Sequence, residues 1–301
     1  MTTSGTERLA PSAALRARLQ GLPITRAFPW RETRDPWRVL VAELCCQQTQ
    51  AQRAVAVYER CCARFPTPAA CAAAPLGDVL DAWRGLGYYR RARALQGAAT
   101  AIVDDHAGRV PDDLDALLAL PGVGPYTARA VLCFAFERDV GIVDTNVARV
   151  LARAVANRPL APREAQALAD DLVPRGRGWA HNQAMLDLGA TTCGPVPSCS
   201  LCPLRPCCRW RRSGDGAPDP ASRTAFVSRP QPRFAGSNRE GRGRLLVAAL
   251  DRPLAASDLA TAAGWPEDPA RAARVAAQLV AEGLLEVEGG IWRPGRGARS
   301  A

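Results

Sequence analysis

Five of the eleven cysteines crowd into one short segment, and thiols at such density usually bind a metal. They run in the order Cys193-x5-Cys199-x2-Cys202, followed by x4 to Cys207 or x5 to Cys208. Four thiolates at this spacing suit either tetrahedral zinc or a [4Fe-4S] cluster, and the spacing alone does not separate the two. Because x5 is the commoner final gap, we expect Cys208 rather than Cys207 to be the fourth ligand.

A glycine-rich segment, LPGVGPYTA at residues 120–128, indicates a different chemistry. Gly122 and Gly124 predict a tight turn between two helices, with main-chain N–H groups exposed at the start of the second helix. Such groups bind phosphate without reading the base sequence. Many glycine-rich turns between helices bind nothing, so the prediction of a phosphate site depends on the neighbouring motifs.

The chain has 301 residues and a formal net charge of +10, and its 39 basic residues are all arginine because lysine is absent. A codon-biased, GC-rich genome explains this composition, but the absence still has a chemical consequence. No lysine amine can form a Schiff base, so that class of mechanism is excluded. The positive charge is typical of proteins that bind nucleic acid, although a generically basic soluble protein would also carry it.

The expected compartment is the cytoplasm. No apolar run reaches the ~20 residues that span a bilayer, and no signal-peptide pattern is present. In a reducing compartment, the six cysteines outside the crowded segment are predicted to be small buried side chains rather than disulfides.

Helical periodicity dominates residues 12 to about 190 without a convincing strand pattern, so the sequence predicts an all-α fold for this part. Residues 213–240 are rich in Pro, Ser, Gly and Arg and predict a linker. Beyond it, three short helical patterns precede a hairpin of residues 284–288 and 291–293, joined by Gly289-Gly290. This order predicts a small winged-helix-like domain at residues 241–295, although a small helical bundle would look similar.

Several motifs accompany the glycine-rich segment in a fixed order. They are FPWR at 28–31, AELCCQQTQ at 42–50, GLGYYRRAR at 85–93, VDTNV at 143–147 and NQAMLDLGA at 182–190. Together they resemble the signatures of adenine DNA glycosylases of the MutY kind, in the helix-hairpin-helix DNA glycosylase superfamily. The resemblance covers about residues 28–210. It implies a two-lobed helical fold, with a six-helix lobe at 29–137 that contains the helix-hairpin-helix, and an iron–sulfur lobe formed by 1–28 and 138–212.

The resemblance implies two catalytic carboxylates. Cleavage of an N-glycosidic bond needs an acid at the leaving base and negative charge beside the developing sugar cation. Glu43 matches the residue that protonates adenine N7, and Asp144 matches the one that stabilises and captures the sugar cation. Because the neighbours of Glu43 in its helix are apolar, we expect a buried carboxyl with a raised pKa rather than an exposed helix glutamate. Asp144 could instead be only the N-cap of the next helix.

The residue at position 126 bears on whether the reaction includes strand cleavage. In lyase-type relatives such as the endonuclease III family, a lysine stands here and forms a Schiff base. This chain has Tyr126, which with Asn146 matches residues that support Asp144. The resemblance therefore implies a monofunctional glycosylase that leaves an intact abasic site.

Other motif residues match positions that hold the extruded base and fill the gap it leaves. Gln48 and Tyr88 match the wedge residues. Core packing is the alternative for Tyr88 and the adjacent Tyr89, and we expect one of the two tyrosines to be buried. The residues that match the adenine pocket are Trp30, Arg31 and Gln183.

The resemblance favours a [4Fe-4S] cluster held by Cys193, Cys199, Cys202 and Cys208. The first gap in this chain is one residue shorter than the family's usual six, and residues 194–198 include no basic side chain.

The family often ends in a Nudix-like β-domain that inspects 8-oxoguanine, and residues 241–293 are too short and too helical for one. The chain resembles shorter members, whose end domain could contact DNA through Arg271 and Arg274, dock a partner, or only stabilise the fold.

The expected activity is therefore removal of adenine mispaired with 8-oxoguanine or guanine in double-stranded DNA, by a monomer associated with the nucleoid. A thymine glycosylase acting on T:G mismatches is an alternative on the same scaffold, although the QQTQ and GLGYY patterns favour adenine. A non-catalytic lesion-sensing DNA-binding protein is a second alternative. The joint presence of Glu43, Tyr126 and Asp144 argues against it.

Overall fold

A computed structural model of the protein describes residues 11–214, 216–226 and 233–296. These residues form two compact units. The hairpin unit consists of residues 28–131 and 233–296, and the cysteine unit consists of residues 11–27 and 132–226. Residues 1–10 of the predicted iron–sulfur lobe and 227–232 of the predicted linker lie outside the described residues.

The described chain is mainly helical. The helices up to the glycine-rich turn are α1 (Ala13–Gln20), α2 (Pro36–Cys46), α3 (Ala51–Arg64), α4 (Pro68–Ala73), α5 (Leu76–Ala82), α6 (Arg90–Asp105) and α7 (Leu114–Ala119). After the turn come α8 (Pro125–Phe134), α9 (Thr145–Val150), α10 (Pro162–Leu172), α11 (Gly178–Thr191), α12 (Arg209–Arg212), α13 (Asn238–Asp251), α14 (Leu259–Ala263) and α15 (Pro269–Ala281). Among the described residues, no helix is both long and apolar enough to cross a membrane.

Local signals explain where the functional helices begin. Asp35 caps α2 by accepting hydrogen bonds from the main-chain N–H groups of Trp37 and Arg38, and Pro36 occupies the first helical position. In the same way Asp113 caps α7. A different feature follows α9, where Leu151–Ala156 continues as a π-helical turn that ends at Asn157 with a φ of +52°.

The all-α prediction for the first two-thirds is confirmed, because the strands in the described part of the chain are confined to its C-terminal region. They are β1 (Leu254–Ala255), β2 (Leu285–Glu288) and β3 (Ile291–Pro294), in an antiparallel sheet of order β1-β3-β2. Together with α13–α15 they follow the helix–strand–helix–helix–strand–strand order of a winged helix. The prediction missed β1, since two residues are too few to show an alternating pattern.

Packing follows the helical periodicity. In α15 the buried residues are Ala272, Val275, Ala276 and Leu279, which recur at i, i+3, i+4 and i+7 and face the sheet and α13. The hairpin unit is built around large, fully buried side chains that include Leu40, Leu44, Leu80, Trp83 and Leu95. Five of the six scattered cysteines are buried as predicted, and Cys46 is half-buried.

Part of the predicted linker is anchored in the cysteine unit. Asp219 forms an ion pair of 2.6 Å with the almost fully buried Arg153. Further along, the Ala225 N–H donates to the carbonyl of Leu160 at 3.0 Å, and Thr224 is buried. Residues 219, 224 and 225 are thus held against the cysteine unit, although the composition of this stretch resembles that of a flexible segment.

Candidate active site

Glu43 lies in the buried middle of α2. Its side chain is only 7% exposed, between the buried residues Ala42 and Leu44. The alternative of an exposed helix glutamate is therefore excluded. The role of Glu43 as the general acid stays a prediction.

The two predicted wedge residues share an unusual backbone conformation. Gln48, just after α2, has a φ of +53°, and Tyr88, just before α6, has a φ of +48°. Side chains other than glycine rarely adopt this left-handed region, and when they do they cluster at functional sites. Tyr88 is 40% exposed, whereas Tyr89 is buried. As expected from the sequence, one tyrosine of the pair packs in the core, and the other is available at the surface.

One buried arginine, Arg91, holds both loops in place. Its guanidinium donates hydrogen bonds to four main-chain carbonyls, those of Leu44 (3.1 Å), Cys45 (2.8 Å), Gln47 (2.5 Å) and Gly87 (3.2 Å). The same guanidinium lies over the ring of Tyr88, 5.4 Å from its centre. The loop after α2 and the loop before α6 are therefore fixed to a single cation.

The glycine-rich segment forms the predicted turn between α7 and α8. Gly122 has a φ of +76°, and a Cβ at this position would lie 2.6 Å from the Cβ of Ala94. Gly124 differs, since a Cβ there would have nothing within 4 Å and its backbone needs no glycine. Gln47 connects the turn to the end of α2 by donating to the carbonyl of Gly122 at 3.0 Å and to Thr127 Oγ1 at 3.2 Å.

The two glycines give a matched test of the phosphate prediction. We expect Gly122→Ala to destabilise the fold by about 1–3 kcal/mol because of its positive φ and the close Ala94. Gly124→Ala should fold normally but bind DNA about tenfold more weakly, since its methyl group would occupy the open space beside the turn. Thermal unfolding and binding to an undamaged duplex measure the two effects. Wild-type DNA affinity in a well-folded Gly124→Ala variant would contradict the prediction.

Trp30 and Arg31, predicted for the base pocket, lie in an aromatic cluster of the hairpin unit. The ring of Trp30 stacks on Phe28, with centres 4.8 Å apart, and meets Tyr58 edge-on at 5.3 Å. The Arg31 guanidinium lies over the Phe28 ring at 5.2 Å. Trp30 and Arg31 are both half-buried, so the cluster presents a flat aromatic and cationic surface of the kind that holds a base. Tyr126 is also half-buried, in the first turn of α8.

In the cysteine unit, Asp144 is the N-cap of α9. Its Oδ1 atom accepts main-chain bonds from Asn146 and Val147, both at 2.8 Å. Its Oδ2 atom accepts a bond of 2.6 Å from the side-chain amide of Asn146. Burial raises the pKa of Asp144, and these hydrogen bonds oppose the rise. The capping role is thus observed, and the cap orients both carboxylate oxygens.

Arg149, a buried residue that the motifs did not single out, orients Asn146. Its Nη2 atom donates to Asn146 Oδ1 at 2.7 Å and to the carbonyl of Gly189 at 2.8 Å, and its Nε atom donates to the carbonyl of Cys193 at 3.2 Å. Because Asn146 gives its amide nitrogen to Asp144 and its oxygen to Arg149, the amide has one favourable orientation. A chain of hydrogen bonds thus joins the aspartate to the first cysteine of the crowded segment.

Helix α11 supports the segment before Asp144. Asn182 donates to the carbonyls of Val140 at 2.9 Å and Gly178 at 2.8 Å, and its Oδ1 accepts from the Ile142 N–H at 3.0 Å. The next residue, Gln183, is buried at 3% exposure. Close approach of α11 to α9 requires a glycine at 189, where a Cβ would lie 2.6 Å from the carbonyl oxygen of Asn146.

Four cysteines line one cavity in the cysteine unit, together with Trp210 and Arg153. They are Cys193, Cys199, Cys202 and Cys208. Cys207 does not line it, and its thiol faces the carbonyl of Leu204 at 3.3 Å. Among the described residues, no three His, Cys, Asp or Glu side chains are close enough together to hold a single metal ion.

Arg153 organises the first of these cysteines. It donates to Cys193 Sγ at 3.4 Å, to the carbonyl of Gly194 at 2.7 Å and to that of Pro195 at 3.2 Å. Asp219 holds the other side of the guanidinium. Burial raises the pKa of the Cys193 thiol, and the arginine opposes the rise because it favours the thiolate.

Three comparisons with known proteins decide the family. Residues 41–175 match the model of the HhH-GPD superfamily base excision DNA repair proteins. Over 283 residues, 90% of each chain, the protein is 42% identical to an adenine DNA glycosylase from Mycobacterium tuberculosis. The chain belongs to the adenine DNA glycosylase family. It is also 39% identical to the human adenine DNA glycosylase over 202 residues, which are 62% of this chain and 37% of that protein.

Solved structures place this glycosylase in the same fold as two related repair enzymes. A thermostable thymine-DNA glycosylase matches with a TM-score of 0.61 and 29% identity, covering 67% of this chain and 96% of that one. An endonuclease III in a non-covalent DNA complex matches with a TM-score of 0.59 and 27% identity, covering 66% and 94%. The predicted family and the predicted helix-hairpin-helix glycosylase fold are confirmed. The protein is a DNA glycosylase of base excision repair.

Proposed function

We propose that this glycosylase is monofunctional and removes adenine mispaired with 8-oxoguanine or guanine from double-stranded DNA. The observation that carries the proposal is the buried Glu43 in a member of the adenine DNA glycosylase family. Tyr126, in a chain without lysine, supports the monofunctional reaction.

Access to the base requires its extrusion from the duplex. Gln48 and Tyr88 would enter the gap, because they are exposed and held in strained loops by Arg91. Gly124 would let a phosphate approach the turn before α8, since the space around it is open. Trp30 and Arg31, with Gln183, are the candidates to hold the extruded adenine.

Glu43 would then donate its proton to N7 of adenine as the bond between C1′ and N9 breaks. The bonding electrons leave with the base, and C1′ becomes an oxocarbenium ion. Asp144 would stabilise that positive charge and form a covalent bond to C1′, which water later hydrolyses. Asn146 would hold Asp144 in position through its amide, and Arg149 would hold Asn146. The products are free adenine and an intact abasic site.

We also propose that Cys193, Cys199, Cys202 and Cys208 hold a [4Fe-4S] cluster. The proposal rests on the family resemblance and on the four thiols that line one cavity. When bound, the cluster would supply a covalent cross-link for the segment 193–208. Arg153 would donate a hydrogen bond to one of its thiolate ligands.

Paired serine variants test the choice of fourth ligand. We expect Cys208→Ser to lose most of the bound iron and the visible absorbance of the cluster, because its thiol lines the cavity. Cys207→Ser should retain both, since Cys207 does not line the cavity. Iron analysis of the two purified variants gives the result. A full cluster in Cys208→Ser together with iron loss in Cys207→Ser would reverse the assignment.

Excision assays on matched duplexes test the main proposal. Duplexes with A:8-oxoguanine, A:G or T:G would be incubated with enzyme and then analysed with and without hot alkali. We expect cleaved strand from both adenine duplexes only after alkali. Cleavage without alkali would contradict the monofunctional reaction. Release from T:G alone would support the thymine alternative that the similarity to a thymine-DNA glycosylase structure keeps open. Binding without any release would support a lesion sensor.

The ratio of rates on A:8-oxoguanine and A:G establishes the preferred opposite base. Sedimentation of the enzyme alone and with one duplex tests the proposed monomer. Because genomic DNA is the substrate, we propose that the enzyme acts in the cytoplasm at the nucleoid.

A further inference from the structure

The winged-helix module, residues 233–296, touches the wedge loop directly. Arg239, the second residue of α13, donates a hydrogen bond of 3.3 Å to the phenol oxygen of Tyr88, which is 151 residues earlier in the chain. The same guanidinium lies over the ring of Phe234, 5.8 Å from its centre. Tyr88 is 40% exposed and Phe234 is 58% exposed, so all three side chains meet at an accessible surface of the hairpin unit.

The turn that presents Arg239 is well braced. Ser237 caps α13, and Glu240 accepts a bond of 2.6 Å from the Gly236 N–H. Arg271 donates to the carbonyl of Gly236 at 2.9 Å and to Asn238 Oδ1 at 2.8 Å. The sequence had suggested Arg271 as a DNA contact, and in the structure it holds this turn. Arg274, the other suggested contact, is exposed and stays a prediction.

The module is also attached beside the wedge loop. Glu282, after α15, accepts bonds of 2.5 Å from Arg90 and from Arg242. Arg93 donates to the main-chain carbonyl of Glu282. Arg90 is the first residue of α6 and lies two positions after Tyr88. The module is therefore attached to the helix that begins beside the wedge residue Tyr88, and not to a distant surface of the unit.

We propose that Arg239 is a positioning residue for Tyr88, and that the winged-helix module thereby takes part in DNA engagement. The inference rests on the proposed role of Tyr88 as a wedge. A phenol ring on an exposed loop loses rotational freedom when it enters a base stack. The bond from Arg239 restricts the ring before DNA binds, so less freedom is lost on binding. An exposed hydrogen bond adds little to fold stability, and its effect should appear in wedge insertion.

A double-mutant cycle with two single-site changes tests the coupling. Arg239→Ala removes the donor, and Tyr88→Phe removes only the acceptor oxygen while keeping the ring. The control is Arg252→Ala, which removes an arginine of the same module whose ion pair is with Asp258. The substrate is an A:G duplex with 2-aminopurine beside the target adenine, whose fluorescence reports unstacking. Single-turnover excision and the unfolding midpoint are measured alongside.

We expect Arg239→Ala and Tyr88→Phe each to reduce the unstacking signal and slow excision about fivefold, with unfolding midpoints near that of Arg252→Ala. The double variant should be no slower than either single variant, because both remove the same bond. Equal activity of Arg239→Ala and Arg252→Ala, or multiplied effects in the double variant, would overturn the inference. Tyr88→Ala distinguishes failure of the wedge role from failure of the coupling between Arg239 and Tyr88. If it leaves unstacking unchanged, the wedge role itself fails; if it abolishes unstacking while Arg239→Ala is silent, only the coupling fails.

Discussion

Asp144→Asn should abolish adenine excision, with a loss of ~10³-fold or more in the single-turnover rate. The substitution removes the negative charge that would stabilise the sugar cation and the nucleophile that would capture it. The fold should be preserved because asparagine is as good an N-cap as aspartate and can still accept the bonds from Asn146 and Val147. DNA binding should remain near the wild-type level.

The same variant should be slightly more stable than the wild type at neutral pH. Burial raises the folded-state pKa of Asp144 above the unfolded value of about 3.9, so the folded state favours the protonated carboxyl. Ionisation therefore costs stability as the pH rises from about 4 through the raised pKa. Asparagine is not subject to that cost. Thermal unfolding of the variant and the wild type at pH 4 and pH 7 measures this cost. The argument would be contradicted if Asp144→Asn were less stable than the wild type at pH 7 but not at pH 4.

Glu43→Gln should lower the excision rate by about 10²–10⁴-fold, which is the usual contribution of a general acid. Glutamine has nearly the same shape, so the packing of the buried middle of α2 should hold. Its amide cannot donate the proton that the leaving adenine needs. Single-turnover rates on an A:G duplex give the size of the effect.

A matched control for this variant is Glu59→Gln, which makes the same change in α3. Glu59 is exposed, and we expect wild-type excision from its variant. If Glu43→Gln and Glu59→Gln have equal activity, the proton comes from another group. If Glu43→Gln removes a base that leaves without protonation faster than it removes adenine, the assignment of Glu43 as the general acid is strengthened.

The features predicted from the sequence were those with local signals. The glycine-rich turn, the cap at Asp144 and the hairpin around Gly289-Gly290 each depend on residues within a few positions of one another, so their patterns are readable along the chain. The choice of Cys208 as fourth ligand stays a prediction, and its place in the lining of the cavity supports it. The catalytic and binding roles came from the family resemblance, and they stay predictions until the variants are measured.

The features that the sequence did not reveal depend on contacts between distant residues. Arg91 occurs in a run of arginines that looks like a solvent-exposed helix start. Three of its four carbonyl partners lie 44 to 47 residues earlier, at the end of α2 and just after it. Asp219 lies in a stretch with the composition of a linker, and its partner Arg153 is 66 residues away. The arginines themselves have no local periodicity that distinguishes a buried brace from a surface charge.

The position of Arg91 has a consequence for how this protein tolerates mutation. Its hydrogen bonds go to main-chain oxygens, which every amino acid possesses, so substitutions at positions 44, 45, 47 and 87 leave the acceptors in place wherever the backbone path is kept. Arg91 itself cannot be replaced in the same way, because only a planar guanidinium directs several N–H groups at once to separate carbonyls. These hydrogen bonds therefore place no demand on the side chains at the four acceptor positions, whereas they require arginine at position 91.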